Sequence, residues 1–334
     1  MSRSEDRPFD RATRRSEHRR VLVHGLVYFG KVFADFMNDD DLEFRYYPDE
    51  GLRNFAAMFR ELAACDLVYQ LGGRLTQGRF LRIAHAFGKK HIIMHWLGSD
   101  VLDERRLGLA DRGDAWVLHN LHHWAESDWM AREVGNLGVP CEVVPFPSPR
   151  VPESPSPLPE EFNVLVYMPT VERGELYGLD RILQVARELP GVSFDLVGLL
   201  DGPIPDAPSN LRIHGRIPNL AEFYRRSTVV WRPVRHDGIS WMVLESLGHG
   251  RHVLWTYPFP GCIQVQGASD ARDYIARLYE LHQLRLLGIN EKGVRYIASS
   301  GYHPRFLKRR VHSLLKGILE SPVPNEVAVR SIGS

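Results

Sequence analysis

Residues 145–159 read Pro-Phe-Pro-Ser-Pro-Arg-Val-Pro-Glu-Ser-Pro-Ser-Pro-Leu-Pro, seven prolines in fifteen positions. Each ring fixes φ and removes a backbone donor, so neither a helix nor a central strand survives that density. The stretch predicts a stiff, extended, Pro-rich linker over residues 148–162. It matters because the same pattern runs on both sides of it.

Before the linker, short apolar runs at Val21–His24, Leu42–Tyr46, Asp66–Gln70, His91–His95, Ala115–Leu118 and Cys141–Val144 read as buried strands. Helix-length stretches separate them, and Phe55, Met58, Phe59 and Leu62 mark one helical face. After the linker the alternation restarts with Asn163–Met168, Val192–Gly198, Leu211–His214, Thr228–Arg232 and His252–Trp255. Strand–helix alternation with connections of this length means a parallel sheet covered on both faces. The expected fold class is therefore α/β, with two doubly wound, Rossmann-like domains at 21–147 and 163–300. A last helix at 301–320 opens on Pro304 and carries Leu307, Val311, Leu314, Leu315 and Ile318 as its apolar stripe.

Composition narrows the function classes. The 42 Lys and Arg against 41 Asp and Glu leave a formal charge of +1, which gives no overall basic excess for nucleic acid. The three cysteines, Cys65, Cys141 and Cys262, are far apart and form no CxxC pair, a usage that fits a reducing cytoplasm. No apolar run approaches the roughly 20 residues that cross a bilayer. Residues 1–20 hold seven arginines against four acids and predict a flexible basic tail. The alternative for this tail is a weak peripheral contact with the inner membrane face, worth about 1 kcal/mol per basic group near anionic lipid.

Four stretches carry candidate chemistry. Gly25-Leu-Val-Tyr-Phe-Gly30-Lys31-Val32 follows a strand and nearly spells a phosphate loop, but Val32 stands where a Mg²⁺-binding hydroxyl belongs. It reads instead as a glycine-containing turn lining a cleft. His119, His122 and His123 have spacings that would put two of them on one helix face, yet no nearby Cys, Asp or Glu completes a metal set, and no metal site is expected. His95-Trp-Leu-Gly-Ser-Asp100 sits at the end of a buried strand, where open α/β sheets bind ligands. The most informative stretch is residues 231–250. A strand ends near Arg232, a turn holds Asp237 and Gly238, and a helix from about Ile239 to Leu247 carries Glu245. Free amides at such a helix start, backed by the helix dipole, form an anion site. The carboxylates beside it suit the hydroxyls of a sugar or ribose.

The run Pro233-x3-Asp237-Gly238-x6-Glu245-x4-Gly250 resembles the E-x7-E region of retaining, family-4-like (group 1) glycosyltransferases of the GT-B fold. Tyr177-Gly-Leu-Asp180, Val197 to Pro203 and Leu211 to Pro218 are similar, in order, to that family's first helix start, second turn and base-flanking segment. In the first domain, His95 to Asp100 looks like the family's histidine-glycine-aspartate turn, and Ala125-Glu-Ser127 like its Ser-containing helix opening. The chain departs from the pattern at Asp237, where the family has Glu, and at Tyr177, where it has Lys. Its usual upstream arginine has no clear equivalent. Arg173 is the nearest candidate, and Arg232, Arg235 and Lys31 are potential substitutes for the basic pair.

The resemblance implies two domains facing a cleft, with the last helix crossing back to the first domain. It implies glycosyl transfer from a UDP- or GDP-linked sugar, with retention and no metal or other cofactor, to a saccharide, lipid-linked or small-molecule acceptor. Glu245 would accept from ribose hydroxyls. Asp237 and the amides of Gly238, Ile239, Ser240 and Trp241 would hold sugar and phosphate. Arg216 and Ile217 would flank the base, Arg173 would neutralise the diphosphate, His95 would contact the sugar or its phosphate, and Gly30 and Gly198 would complete the donor site. The alternatives are a non-catalytic nucleotide-sugar-binding partner and a sugar-nucleotide epimerase on the same fold.

Overall fold

The computed structural model describes residues 18–48, 55–72, 79–107, 121–199, 202 and 204–321. The expectations for residues 1–17 of the tail, for His119 and for a strand at 115–118 lie outside these residues.

The first sheet is all parallel and contains β1 (Arg19–Gly25), β2 (Leu42–Tyr47), β3 (Leu67–Leu71), β4 (His91–Trp96), β5 (His122–Ala125) and β6 (Glu142–Val143). Their order is β2-β1-β3-β4-β5-β6. The helices α1 (Val27–Met37), α2 (Phe55–Ala64), α3 (Arg79–Ala86), α4 (Ser99–Leu107) and α5 (Asp128–Gly135) connect them. The second sheet contains β7 (Asn163–Tyr167), β8 (Ser193–Val197), β9 (Leu211–Gly215), β10 (Val229–Arg232), β11 (His252–Trp255) and β12 (Cys262–Gln264). Its order, β12-β11-β10-β7-β8-β9, is the Rossmann order, with the switch point between β7 and β10. The helices that follow are α6 (Gly174–Tyr177), α7 (Leu179–Glu188), α8 (Ala221–Arg225), α9 (Trp241–Gly248), α10 (Ala268–Gln283), α11 (Glu291–Ser299) and α12 (Pro304–Glu320). Each sheet is buried on both faces, which is why its strands read as near-continuous apolar runs.

The helix α12 returns to the first domain. Val311 and Leu315 are fully buried there in the cluster of Val21, Phe33 and Phe44. His312 Nε2 donates to the Met37 carbonyl at 2.6 Å, and Lys308 Nζ donates to the carbonyls of Phe36 and Asn38, both at 2.8 Å.

Several local expectations change. The strand β1 already includes Arg19 and Arg20, so these two open an inner strand of the sheet and do not belong to a tail. Arg20 Nε donates to Glu43 at 2.9 Å, and Arg19 pairs with Asp66 at 3.3 Å. Gly30 and Lys31 lie inside α1, and the turn after β1 is confined to Gly25 and Leu26. His122 and His123 lie on β5, where adjacent side chains take opposite faces, and not on a helix. The edge strand β12 escapes sequence reading because it is three residues long and only half-buried.

The proline segment is extended but firmly held. Phe146, Ser148 and Val151 are buried, and the fully buried Arg251 donates from its guanidinium to the carbonyls of Ser156, Pro157, Ser227 and His249. The His249 carbonyl also accepts from the Ser156 amide, so the arginine and this one backbone bond together tie the proline segment to the second domain. Arg251→Leu is expected to lower unfolding stability by about 3 kcal/mol or more, since it leaves several buried acceptors unpaired. Urea denaturation checks this, and a loss under about 1 kcal/mol would show that water takes the arginine's place.

Candidate functional site

The C-terminal ends of both sheets face each other across a cleft of about 570 Å³, within the size range of small-ligand sites. The first domain supplies Leu26, Tyr28 and Phe29 after β1, Leu97 to Ser99 after β4, and Glu126 after β5. The second supplies Tyr167 and Arg173 after β7, Gly198 after β8, Arg216 and Ile217 after β9, and Arg232 to Glu245 across β10 and α9.

The helix α9 starts at the cleft with Ser240 as its N-cap, and the Ser240 side chain makes no capping bond. Among the described residues, the amides of Ser240, Trp241 and Met242 donate to no protein group. They are the unsatisfied donors that every helix start presents, here open to the cleft. About one turn along, Glu245 is only 6% exposed and accepts from Ser148 Oγ at 2.7 Å. Burial pushes its carboxyl above the usual range, while Ser148 and the charge of Arg150 oppose that shift. The indole N–H of Trp241 is enclosed without a partner, the Tyr224 hydroxyl lies beside Glu245 and favours its charged form, and both side chains line the cleft.

The basic groups are settled by position. Arg232 is buried and grips Asp237 as a fork: Nε donates to Oδ2, and Nη2 donates to Oδ1 at 3.0 Å. Burial disfavours the guanidinium charge, but the Asp237 carboxylate outweighs it and raises the pKa. Nη1 stays uncommitted among the described residues, with the guanidinium 5.9 Å from the Tyr167 ring centroid and 5.6 Å from that of Tyr177. Arg173 lines the cleft, bonds Ser99 Oγ of the first domain at 3.2 Å and lies 5.9 Å from the Tyr177 centroid. Arg235 instead faces Glu175 and Asp180 at the surface, and Lys31 is on the exposed side of α1. Asp237 therefore does not offer a free carboxylate to a sugar, as the motif led us to expect. Both its oxygens are taken by Arg232.

His95 is a second correction. It is fully buried at the sheet end and does not line the cleft. Its Nε2 donates to the Val144 carbonyl at 2.8 Å, so Nδ1 accepts from the Tyr69 hydroxyl at 2.7 Å. Burial pushes its pKa down to about 3. The residues that reach the cleft are Leu97 to Ser99, folded into a turn by Asp100, whose carboxylate accepts from the amides of Leu97, Gly98 and Val101. Gly98 has φ +143°, a conformation that a side chain would strain. Gly30 is also displaced from the site. A Cβ there would stand 2.4 Å from the Tyr46 ring, so the glycine makes room for packing. Gly198, Arg216, Ile217, Gly238 to Trp241 and Glu245 all lie in or at the cleft, with Gly198 seated against Tyr167.

The residue that sequence reading did not single out is Glu126. It is 3% exposed, projects from the end of β5, and accepts from the Ile239 amide at 2.8 Å. Burial and the nearby Asp237 hold its carboxyl well above the usual range. Two neighbours reinforce the crossing: Trp129 Nε1 donates to the Asp237 carbonyl at 2.8 Å, and Glu133 Oε2 lies 2.6 Å from His236 Nε2. The signal in the sequence was an acid directly following the strand His122–Ala125.

Neither a family model nor a curated protein sequence matches the chain. Among solved structures, sucrose-phosphate synthase from Thermosynechococcus elongatus is similar with a TM-score of 0.64, over 90% of this chain and 99% of its own, at 11% identity. The pneumococcal O-GlcNAc transferase GtfA, solved with UDP and GlcNAc, gives 0.55 over 80% of this chain at 13% identity. TarM gives 0.55 over 76% at 10% identity. The chain spans 60% of GtfA and 55% of TarM, about half the length of the latter. These are GT-B glycosyltransferases, and the two parallel α/β domains across a cleft are their fold.

The geometry of His95 generates a pH test. Its folded pKa lies below the ordinary value of 6.5, so between about pH 3 and 6.5 the unfolded chain binds a proton that the folded chain does not. Stability should fall as pH drops below about 6.5, by on the order of 1.4 kcal/mol per unit for each such histidine. His249, lowered to about 4 by burial, adds to the same slope. His95→Gln should make the slope of Tm against pH shallower between pH 7 and 5. Equal slopes in both proteins would show that His95 is not buried neutral.

Proposed function

We propose that the protein transfers a glycosyl unit from a UDP- or GDP-linked sugar to an acceptor held by the first domain. One observation carries this reading: free amides at the start of α9, the guanidiniums of Arg232 and Arg173, and the buried carboxylate of Glu245 all open on one cleft. That set matches a nucleoside diphosphate in charge and in order. The amides and the uncommitted Nη1 of Arg232 take the diphosphate, and Glu245 accepts from ribose hydroxyls. Arg216 and Ile217 flank the base. That GtfA is solved in complex with UDP lends support by analogy of fold.

In the reaction, the bond from the anomeric carbon to the diphosphate oxygen breaks and a hydroxyl of the acceptor bonds to that carbon. The hydroxyl's proton passes to an oxygen of the departing diphosphate. On this reading the attack comes from the face the diphosphate leaves, giving retention. Negative charge develops on the leaving group, and Arg232, Arg173 and the α9 start are already aimed there without needing to reorganise. They supply the charge that a metal supplies elsewhere, so no metal or other cofactor is required. Cys65, Cys141 and Cys262 are free, and no described helix is long and apolar enough to cross a membrane. We place the reaction in a reducing compartment, the cytoplasm, with a saccharide, lipid-linked or small-molecule acceptor.

Calorimetry with UDP and GDP tests the site before any sugar is present. Glu245→Gln should weaken binding of the preferred nucleotide by about 1.5–3 kcal/mol, the range for charge-assisted hydrogen bonds. Unchanged affinity would put the ribose elsewhere. Binding by the parent protein should also persist in EDTA. Loss of binding that Mg²⁺ or Mn²⁺ restores would overturn the metal-free diphosphate site.

A further inference from the structure

We propose, resting on the reading just given, that the nucleoside is held by both domains: Tyr28 of the first domain and Arg150 of the proline segment wall its pocket. Nucleotide affinity then depends on a side chain that lies outside the second domain.

Tyr28 stands in the first turn of α1, lines the cleft and is 41% exposed. Its ring reaches toward the second domain, with its centroid 6.3 Å from that of Trp241 at the start of α9. The Arg150 guanidinium lies 5.4 Å from the same Tyr28 centroid. Arg150 in turn donates from Nη1 to the Pro218 carbonyl at 2.8 Å, directly after Arg216 and Ile217 in the chain. Trp241, Tyr28, Arg150 and Pro218 thus connect the diphosphate end of the cleft to the base-flanking segment. Those are the two ends between which a nucleoside must lie.

The charges around Tyr28 agree with this placement. Burial pushes its hydroxyl above the ordinary value, Arg150 and Arg216 oppose that shift, and Glu245 adds to it. Arg150 also acts on Glu245 and favours its charged form. The Tyr28 side chain therefore ends among the groups assigned to ribose and base, although its backbone belongs to the other sheet. An aromatic ring and a guanidinium plane both offer flat, weakly hydrated faces, which suit a planar base. Such a wall contributes only when the ligand carries a nucleoside. A bare diphosphate, received by the start of α9, does not use it.

Calorimetry on the full chain with UDP, or with GDP if that is preferred, and competition by inorganic pyrophosphate separate the two halves of the ligand. Tyr28→Ala should weaken nucleotide binding at least about fivefold, as loss of a ring from a base does, and leave pyrophosphate affinity within about twofold. Tyr28→Phe keeps the ring and should bind nucleotide within about threefold of the parent. Arg150→Gln should likewise weaken the nucleotide more than the pyrophosphate. Val27→Ala is the control: that side chain is exposed and does not line the cleft, so neither affinity should change. If Tyr28→Ala or Arg150→Gln binds nucleotide like the parent, or loses as much on pyrophosphate as on nucleotide, the two-domain pocket falls while the second-domain site stands. Equal losses in Tyr28→Phe and Tyr28→Ala would also overturn it. If the parent binds no nucleotide, or pyrophosphate does not compete, the reading of the cleft itself falls, and this proposal with it.

Discussion

A single carboxylate crossing from one sheet to the other organises this protein: Glu126 at the end of β5 holds the Ile239 amide just before α9. Without a side chain at Gly238 the two backbones can approach closely enough for that bond. The loop thus fixed carries Asp237, which fixes Arg232, and it sets the direction in which the first amides of α9 point. Trp129 and Glu133 brace the same loop from α5. Removing this bond would leave both domains folded, since each has its own sheet and core, and still joined through Trp129, Glu133, Arg173 and α12, but would free the loop ahead of α9 on its first-domain side.

Three largely buried acids line the cleft, and each is accommodated differently. Asp237 is neutralised by a bidentate arginine, the geometry in which a buried ion pair best offsets its desolvation. Burial raises the Glu245 carboxyl, and Ser148, Tyr224 and the more distant charge of Arg150 offset only part of that. Glu126 has one amide and a carboxylate neighbour, and is raised furthest of the direct cleft acids relative to any compensating partner. Groups whose environments push them apart in this way take different roles. Asp237 positions Arg232 through the fork, while Glu245 is held by Ser148 and Glu126 by the Ile239 amide, each at the cleft.

The α/β architecture was legible because parallel strands buried on both faces leave continuous apolar runs, and the proline segment separates two sets of them. The helix start at the cleft was legible too, since a strand, a glycine turn and an apolar helix follow one another in residues 231–250. What the sequence could not convey is which way a residue at a strand end turns. His95 and Leu97 are two positions apart, yet one is enclosed between Tyr69 and Val144 and the other lines the cleft. Pairings across domains were equally hidden. Arg232 and Asp237 are five residues apart, but their fork depends on a turn held from the first domain. Glu126 lies 113 residues from the amide it binds. The tight packing of Tyr46 on Gly30 likewise turned an apparent phosphate-loop glycine into a spacing residue.

The central claim is that the start of α9 receives a diphosphate. Hydrogen–deuterium exchange of the segment 238–248, with and without the nucleoside diphosphate that calorimetry shows to bind, tests it most directly. The amides of Ser240, Trp241 and Met242 have no protein acceptor and should exchange quickly in the free protein, then slow markedly when the nucleotide is bound. Nucleotide binding that leaves this segment's exchange unchanged, while protecting another part of the chain, would contradict the account.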